Sequence, residues 1–206
     1  MKRILKIVGS ILLVVAVVWG LLTLWVEAEG PAKSRVLGNS ASRTKVLIVY
    51  DPDPFYNLDE KVCESFGNVL AKKDLFVKIA TVAAFSGVAP NDPSIGHYDL
   101  YLFCANTYNW RPDWAVRGFI ESAPIEQKPV VAITLGTGST AAAQRSLEKI
   151  ITNKGGQLID SRSFWLVRPN DENRLEGSNV AICLDQVTTW ASAIGDSLKT
   201  PILSHK

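Results

Sequence analysis

Three near-continuous apolar runs, KVLIVY at 45–50, LYLFCA at 100–105 and VVAITL at 130–135, constrain this chain more than any other feature. Runs of this length, rich in strand formers and bounded by polar breaks, read as strands buried on both faces. Such strands need cover on both sides, and segments of helical period lie between them. Leu58, Val62, Phe66, Val69 and Leu70 recur at helical spacing behind Asn57 and Glu60, which resemble an N-terminal capping pair. Val116, Phe119 and Ile120 mark a helix over about 113–123, with further helices over 139–153, where Ser139 reads as the cap, and 179–198. Residues 75–82 supply another strand and 157–167 a fifth, less regular one; 83–97, with two prolines and two glycines, reads as loop. Strands alternating with helices imply a parallel sheet with right-handed crossovers and helices on both faces. The fold class is therefore α/β, a doubly wound five-stranded sheet ordered 2-1-3-4-5 or a small Rossmann variant.

Ahead of this body stands a different element. Residues 7–26 carry no charge; a basic head, 1–6, with Lys2, Arg3 and Lys6 precedes them, and Glu27 closes them. As a helix the run covers about 30 Å, the hydrocarbon thickness of a bilayer. Trp25 lies near its outer end, where indoles favour the interface. The apolar core of a signal peptide is shorter, about 7–15 residues. The expectation is a single-pass transmembrane helix in the cell membrane, with the lipid bilayer as partner of 7–26. Basic residues nearest the helix favour a cytoplasmic amino terminus and an extracytoplasmic domain, although Lys33, Arg35, Arg43 and Lys45 follow on the other side. Residues 27–44 are polar without sustained periodicity and read as a flexible linker, leaving 45–206 as the domain.

Composition excludes several classes. There are 22 Lys and Arg against 20 Asp and Glu; without the three basic residues of the head, 19 remain, a net of −1. No basic run interleaves with aromatics, so no nucleic-acid partner is expected. Cys63, Cys104 and Cys183 lie far apart with no C-x-x-C spacing, against a zinc site; a Cys63–Cys183 bridge stays open, and Cys104 reads as a small core hydrophobe. His97 and His205 are the only histidines, which argues against a histidine-based metal site or triad.

The run at 100–105 breaks into Asn106, Thr107, Tyr108, Asn109 and Trp110, flat aromatics among small polar groups. Ligands of open parallel sheets sit outside the carboxyl ends of the strands, so a planar ligand is expected here. Asn106-Thr107-Tyr108, then Pro112 and a helix with Val116 and Phe119, resembles the second cofactor loop of flavodoxin-like proteins. Gly136-Thr137-Gly138-Ser139 is similar to their third. The resemblance spans roughly 45–198 and includes the membrane-tethered members, with basic head, one helix and polar linker. It implies the 2-1-3-4-5 sheet, FMN at the switch point, and electron transfer or flavin-dependent reduction with a redox partner protein or a quinone. On that resemblance Tyr108 or Trp110 stacks on the ring, worth about 1–3 kcal/mol in the base-stacking analogue. Backbone at Thr107, Tyr108, Asn109 and Trp110, and at Gly136, Thr137 and Gly138, meets the ring's pyrimidine side; glycine lets main chain approach closely.

The first loop departs from the family's Ser/Thr-rich turn. It reads Asp51-Pro52-Asp53-Pro54-Phe55-Tyr56-Asn57. Two prolines remove amide donors, two aspartates add charge where a phosphate docks, and Asp59 and Glu60 occupy the helix start, leaving Tyr56 and Asn57 as donors. One alternative is therefore a flavin-free binding or scaffold module with a degenerate phosphate loop, in which Tyr108, Trp110 and Trp114 pack together. A remoter one is a magnesium-dependent phosphotransferase using Asp51 and Asp53, with Thr134 ending a later strand. That site needs an acidic pair or a Lys after strand five, where Arg168 stands.

Overall fold

The computed structural model describes residues 2–89, 92–174 and 176–199; His205 lies outside them. After α1 (Lys2–Val26), the chain runs β1 (Ser34–Gly38), β2 (Lys45–Tyr50), α2 (Leu58–Lys72), β3 (Phe76–Thr81), α3 (Pro93–Gly96), β4 (Leu100–Tyr108) and β5 (Arg111–Pro112). It continues through α4 (Trp114–Ser122), β6 (Pro129–Gly136), α5 (Ala141–Asn153), β7 (Gln157–Trp165) and α6 (Asn179–Lys199). The sheet has seven strands, ordered β1-β3-β2-β4-β6-β7, with β5 pairing β4 off that path. β3, β2, β4, β6 and β7 are mutually parallel. Counted by themselves these five follow the flavodoxin-like order 2-1-3-4-5.

Alternation along the strands divides the core in two. Val46, Ile48, Leu102, Cys104, Val131 and Ile133 face α2 and α6, meeting Val62, Phe66, Val187 and Trp190. Leu47, Val49, Tyr101, Phe103, Val130 and Ala132 face α4 and α5, meeting Val116, Phe119, Leu147 and Ile151. Full burial of such side chains is worth about 1.5–3 kcal/mol each, which is why the apolar runs dominate the topology. All three cysteines are free and buried. Burial, then a hydrogen bond from the Cys104 thiol to Cys63, pushes that thiol well above its ordinary range, as suits a small core residue.

Two strands lie outside the sequence reading. β1 falls within 27–44, read as linker, and pairs antiparallel with β3 from Ser34↔Ala80 to Gly38↔Phe76. The two extra strands correct the five-strand, all-parallel expectation. Edge contacts rather than periodicity hold β1. Lys33 donates its amide to Thr81 Oγ1 at 2.9 Å, Thr81 donates to the Pro31 carbonyl at 2.9 Å, and Arg35 pairs with Glu64 at 3.0 Å. Gly38 ends the strand at φ +78°, where a Cβ would stand 2.0 Å from the Leu75 carbonyl oxygen. The second is β5, joined to β4 by the two residues Asn109 and Trp110 at φ 49° and 61°. Positive φ at both is the hairpin geometry usually given to Asn-Gly, and a bulky Trp there is a strained choice. Thr107 and Tyr108 consequently belong to strand, not loop.

The caps also differ. Asn57 makes no side-chain cap bond, and α5 follows Thr140, not Ser139. The 83–97 stretch holds a 3-10 turn at Val82–Phe85 and the short α3. In α1 the window Lys6–Val26 has a mean hydropathy of 2.6, none of it buried, and is long and apolar enough to cross a membrane.

Candidate ligand cleft at the carboxyl edge of the sheet

Three connections meet where β2, β4 and β6 end: residues 51–57, the β4–β5 hairpin, and residues 137–140. Between them lies a cavity of about 150 Å³ lined by Phe55, Tyr56, Thr107, Tyr108, Gly136 and Thr137, among others. Gly136 is required by crowding, since a Cβ would come within 2.8 Å of Thr140 Cγ2 and 3.3 Å of Thr107 Cβ. Thr107 Oγ1 is buried in this wall without a hydrogen-bond partner. A buried hydroxyl left unsatisfied costs about 1–3 kcal/mol; with its oxygen covered by the wall, a ligand's polar edge meets it only when the wall shifts.

The seven residues singled out from sequence divide. Thr107, Tyr108, Gly136 and Thr137 line the cavity. Asn109 and Trp110 line a neighbouring depression of about 230 Å³, together with Trp19 of α1. Gly138 stands outside both, its ideal Cβ nearest Arg168. The carbonyls of Gly136 and Thr137 already accept from Leu166 at 2.9 Å and from Arg168 at 2.9 Å. Tyr108 is pinned as a wall: its hydroxyl donates to Asp53 Oδ2 at 2.5 Å. Burial, then Asp53, raises its pKa, which keeps that proton in place. Trp110 is 63% exposed and Trp114 48%. Among the described residues no ring contact joins Tyr108, Trp110 and Trp114, which corrects the idea that they close the cleft by packing together. Phe55 and Tyr56 instead narrow it; they also line an outer groove of about 480 Å³ that adjoins the cavity.

Beneath the cleft lies a carboxylate cluster that sequence reasoning recognised only in part. Asp53 Oδ1 accepts from the amides of Phe55 and Tyr56 at 2.7 and 2.9 Å. Asp59 Oδ2 accepts from the Asp53 amide at 2.6 Å and Asn106 Nδ2 at 3.0 Å, while its Oδ1 accepts from the Glu60 amide at 2.6 Å. Asp51 accepts from the Gly30 amide at 2.9 Å, and Glu27 from the Trp114 amide at 2.7 Å. Asp113 caps α4 through Val116 and holds the Asn106 amide. Asn106 completes the network by donating to the Asp51 carbonyl at 2.9 Å. Burial raises the pKa of Asp59, Glu27 and, strongly, Asp113; for each, accepted hydrogen bonds pull the other way. Asp51 is pushed up to about 6, chiefly by burial, opposed by the Gly30 amide, with Glu29 and Asp59 adding to the rise. The sequence signals for this hub were the acidic run at Asp51, Asp53 and Asp59 and a polar Asn106 ending a fully buried strand.

Two expectations fare differently against this geometry. Among the described residues no group of three His, Cys, Asp or Glu could hold a metal ion. Asp51 and Asp53 serve backbone amides, so the phosphotransferase reading gains nothing. For FMN, the cavity wall with its orphan hydroxyl suits a planar ring with a polar edge. The residues do not suit the phosphate: the acidic, proline-broken loop offers the amides of Asp53, Phe55 and Tyr56 already taken by carboxylates.

α1 reaches this same edge. Asn109 Nδ2 donates to Thr23 Oγ1 at 3.2 Å, and Trp25 meets the Phe55 ring edge-on with centroids 4.9 Å apart.

A doubly wound sheet ordered 2-1-3-4-5, with a cleft at its carboxyl edge, defines the flavodoxin-like fold. Solved structures agree. A flavodoxin from the domain Archaea superposes with a TM-score of 0.57 at 12% identity, covering 76% of this chain and 99% of that one. The two-electron reduced flavodoxin of Megasphaera elsdenii gives 0.55 at 12% identity, over 73% of this chain and 98% of that one. The rubredoxin oxygen:oxidoreductase of Desulfovibrio gigas gives 0.55 at 16% identity, over 75% of this chain but 36% of that one. No family model matches the sequence, and no curated protein does. At such identities the likeness establishes the fold alone.

Proposed function

We propose that this chain is a membrane-anchored flavodoxin-like protein whose cleft holds a flavin ring for electron transfer. One observation carries the reading: a cavity at the switch point of the sheet, walled by Tyr108 and Gly136, into whose lining the partnerless Thr107 hydroxyl is built. A bound flavin would supply one- and two-electron chemistry; the chain's residues bind and orient it and limit water access. Tyr108 offers the ring a fixed flat wall and Gly136 close approach of main chain, and the covered Thr107 hydroxyl becomes a partner once the wall shifts to admit the ring. The cavity is smaller than the roughly 300 Å³ at which ligand clefts begin. Entry of a tricyclic ring therefore requires Phe55 and Tyr56, both exposed, to swing toward the outer groove. α1 is the anchor, and its contacts with Asn109 and Phe55 hold the cleft beside the membrane surface, where a quinone or an integral redox partner would meet it.

The test is spectroscopic. The full chain in detergent micelles, incubated with flavin and gel-filtered, is expected to retain flavin absorbance that bleaches on reduction with dithionite. A colourless protein refutes the proposal. The occupied phosphate seat supports a second reading, a flavin-free binding module; in that case Trp110→Ala alters capture of a partner while no flavin is retained at any concentration.

A further inference from the structure

The amino end of a helix that follows a strand at the carboxyl edge of a parallel sheet is a ready-made anion site, because its first amides and its dipole face the cleft. In this chain the position is α2, reached from β2 through residues 51–57. It already holds anions, and they are covalently attached. The Asp59 carboxylate receives the Asp53 and Glu60 amides and the Asn106 side chain. The Asp53 carboxylate receives two loop amides and the Tyr108 hydroxyl. Pro52 and Pro54 contribute no donors.

A ligand phosphate directed there would meet two seated carboxylates and have to displace one of them. Lys33, a cation near the helix start, is committed to Glu60 at 3.1 Å. We infer that the cleft selects a flavin, or a similar planar ring, that carries no phosphate, with Asp53 and Asp59 as the residues that set this preference. This rests on the flavin reading above and names the ligand class within it.

The experiment titrates the full chain in detergent micelles with riboflavin and with FMN, following quenching of flavin fluorescence. Riboflavin is expected to bind at least about tenfold more tightly, a gap of about 1.4 kcal/mol. Added salt should narrow the gap by screening the repulsion felt by FMN. The double variant Asp53→Asn/Asp59→Asn keeps acceptor oxygens for the loop amides, and should bring the two affinities together. Equal or tighter binding of FMN by the native chain overturns the inference and leaves the flavin reading standing. An affinity ratio unchanged in the folded double variant, verified by circular dichroism, overturns the assignment to these residues. Absence of binding by either compound overturns both.

Discussion

Asp51→Asn should make this protein more stable in alkali than in acid, relative to the native chain. Asp51 is 4% exposed and has one hydrogen-bonding backbone partner on its carboxylate, the Gly30 amide. Burial, against the pull of that amide, lifts its pKa from 3.8 to about 6. The folded state therefore holds the proton more tightly than the unfolded chain. Its contribution to stability is complete below about pH 4 and is lost as the pH rises through about 6. At about 1.4 kcal/mol per pH unit, a gap of about 2 units makes the ionised side chain cost about 3 kcal/mol at pH 8. Asparagine retains a carbonyl oxygen for Gly30 and carries no charge. Its new amide, if left unpaired, costs about 1–3 kcal/mol at every pH, so the pH-dependent difference isolates the charge. Urea unfolding of the full chain in detergent, followed by tryptophan fluorescence, reads the effect directly. With a slope near 2 kcal/mol per molar urea, the midpoint difference between variant and native chain should move by about 1.5 M between acid and alkaline buffer. A difference independent of pH would refute the argument that Asp51 is buried as a destabilising charge.

Other perturbations follow from the same network. Asn106→Leu removes one of the three donors to the Asp59 carboxylate and the donor to the Asp51 carbonyl, and should cost about 1–3 kcal/mol, read as a lowered unfolding midpoint. Gly38→Ala sets a Cβ against the Leu75 carbonyl at positive φ. It should cost about 1–3 kcal/mol and raise amide exchange in 34–38 while the central strands stay protected. Trp110→Gly relieves left-handed strain worth about 1–2 kcal/mol. Thermal unfolding should show a more stable protein.

How much of this was legible depends on what holds each element. Val46–Val49 and Leu100–Ala105 are fully buried, so their sequence is nearly all apolar and these strands were legible. Their pattern alone allows either the 2-1-3-4-5 order or a small Rossmann variant, and only the family resemblance selects the first. β1 left no such trace. Ser34, Arg35 and Val36 are exposed, and the strand exists because β3 offers an unpaired edge and Thr81 a clasp. The hairpin was hidden for the opposite reason: Trp110 occupies a position where turn chemistry predicts glycine. In the site, the acidity of 51–59 could be read as unwelcoming to phosphate. Which amide each carboxylate serves could not, because Asn106 and Asp59 meet only when β4 lies beside β2. The cavity's size was equally illegible, being set by where Phe55 and Tyr56 come to rest.

The stitching of residues 33–38 onto β3 also shortens the leash. A domain hung on a slack tether samples a broad hemisphere and can reach clients deep in the surrounding fluid. Here about seven residues separate the end of α1 from the sheet, so the body is held close to the helix, like a lamp on a bracket. With α1 as the membrane anchor proposed above, its encounters would become a search in two dimensions, confined to molecules that travel in the same plane.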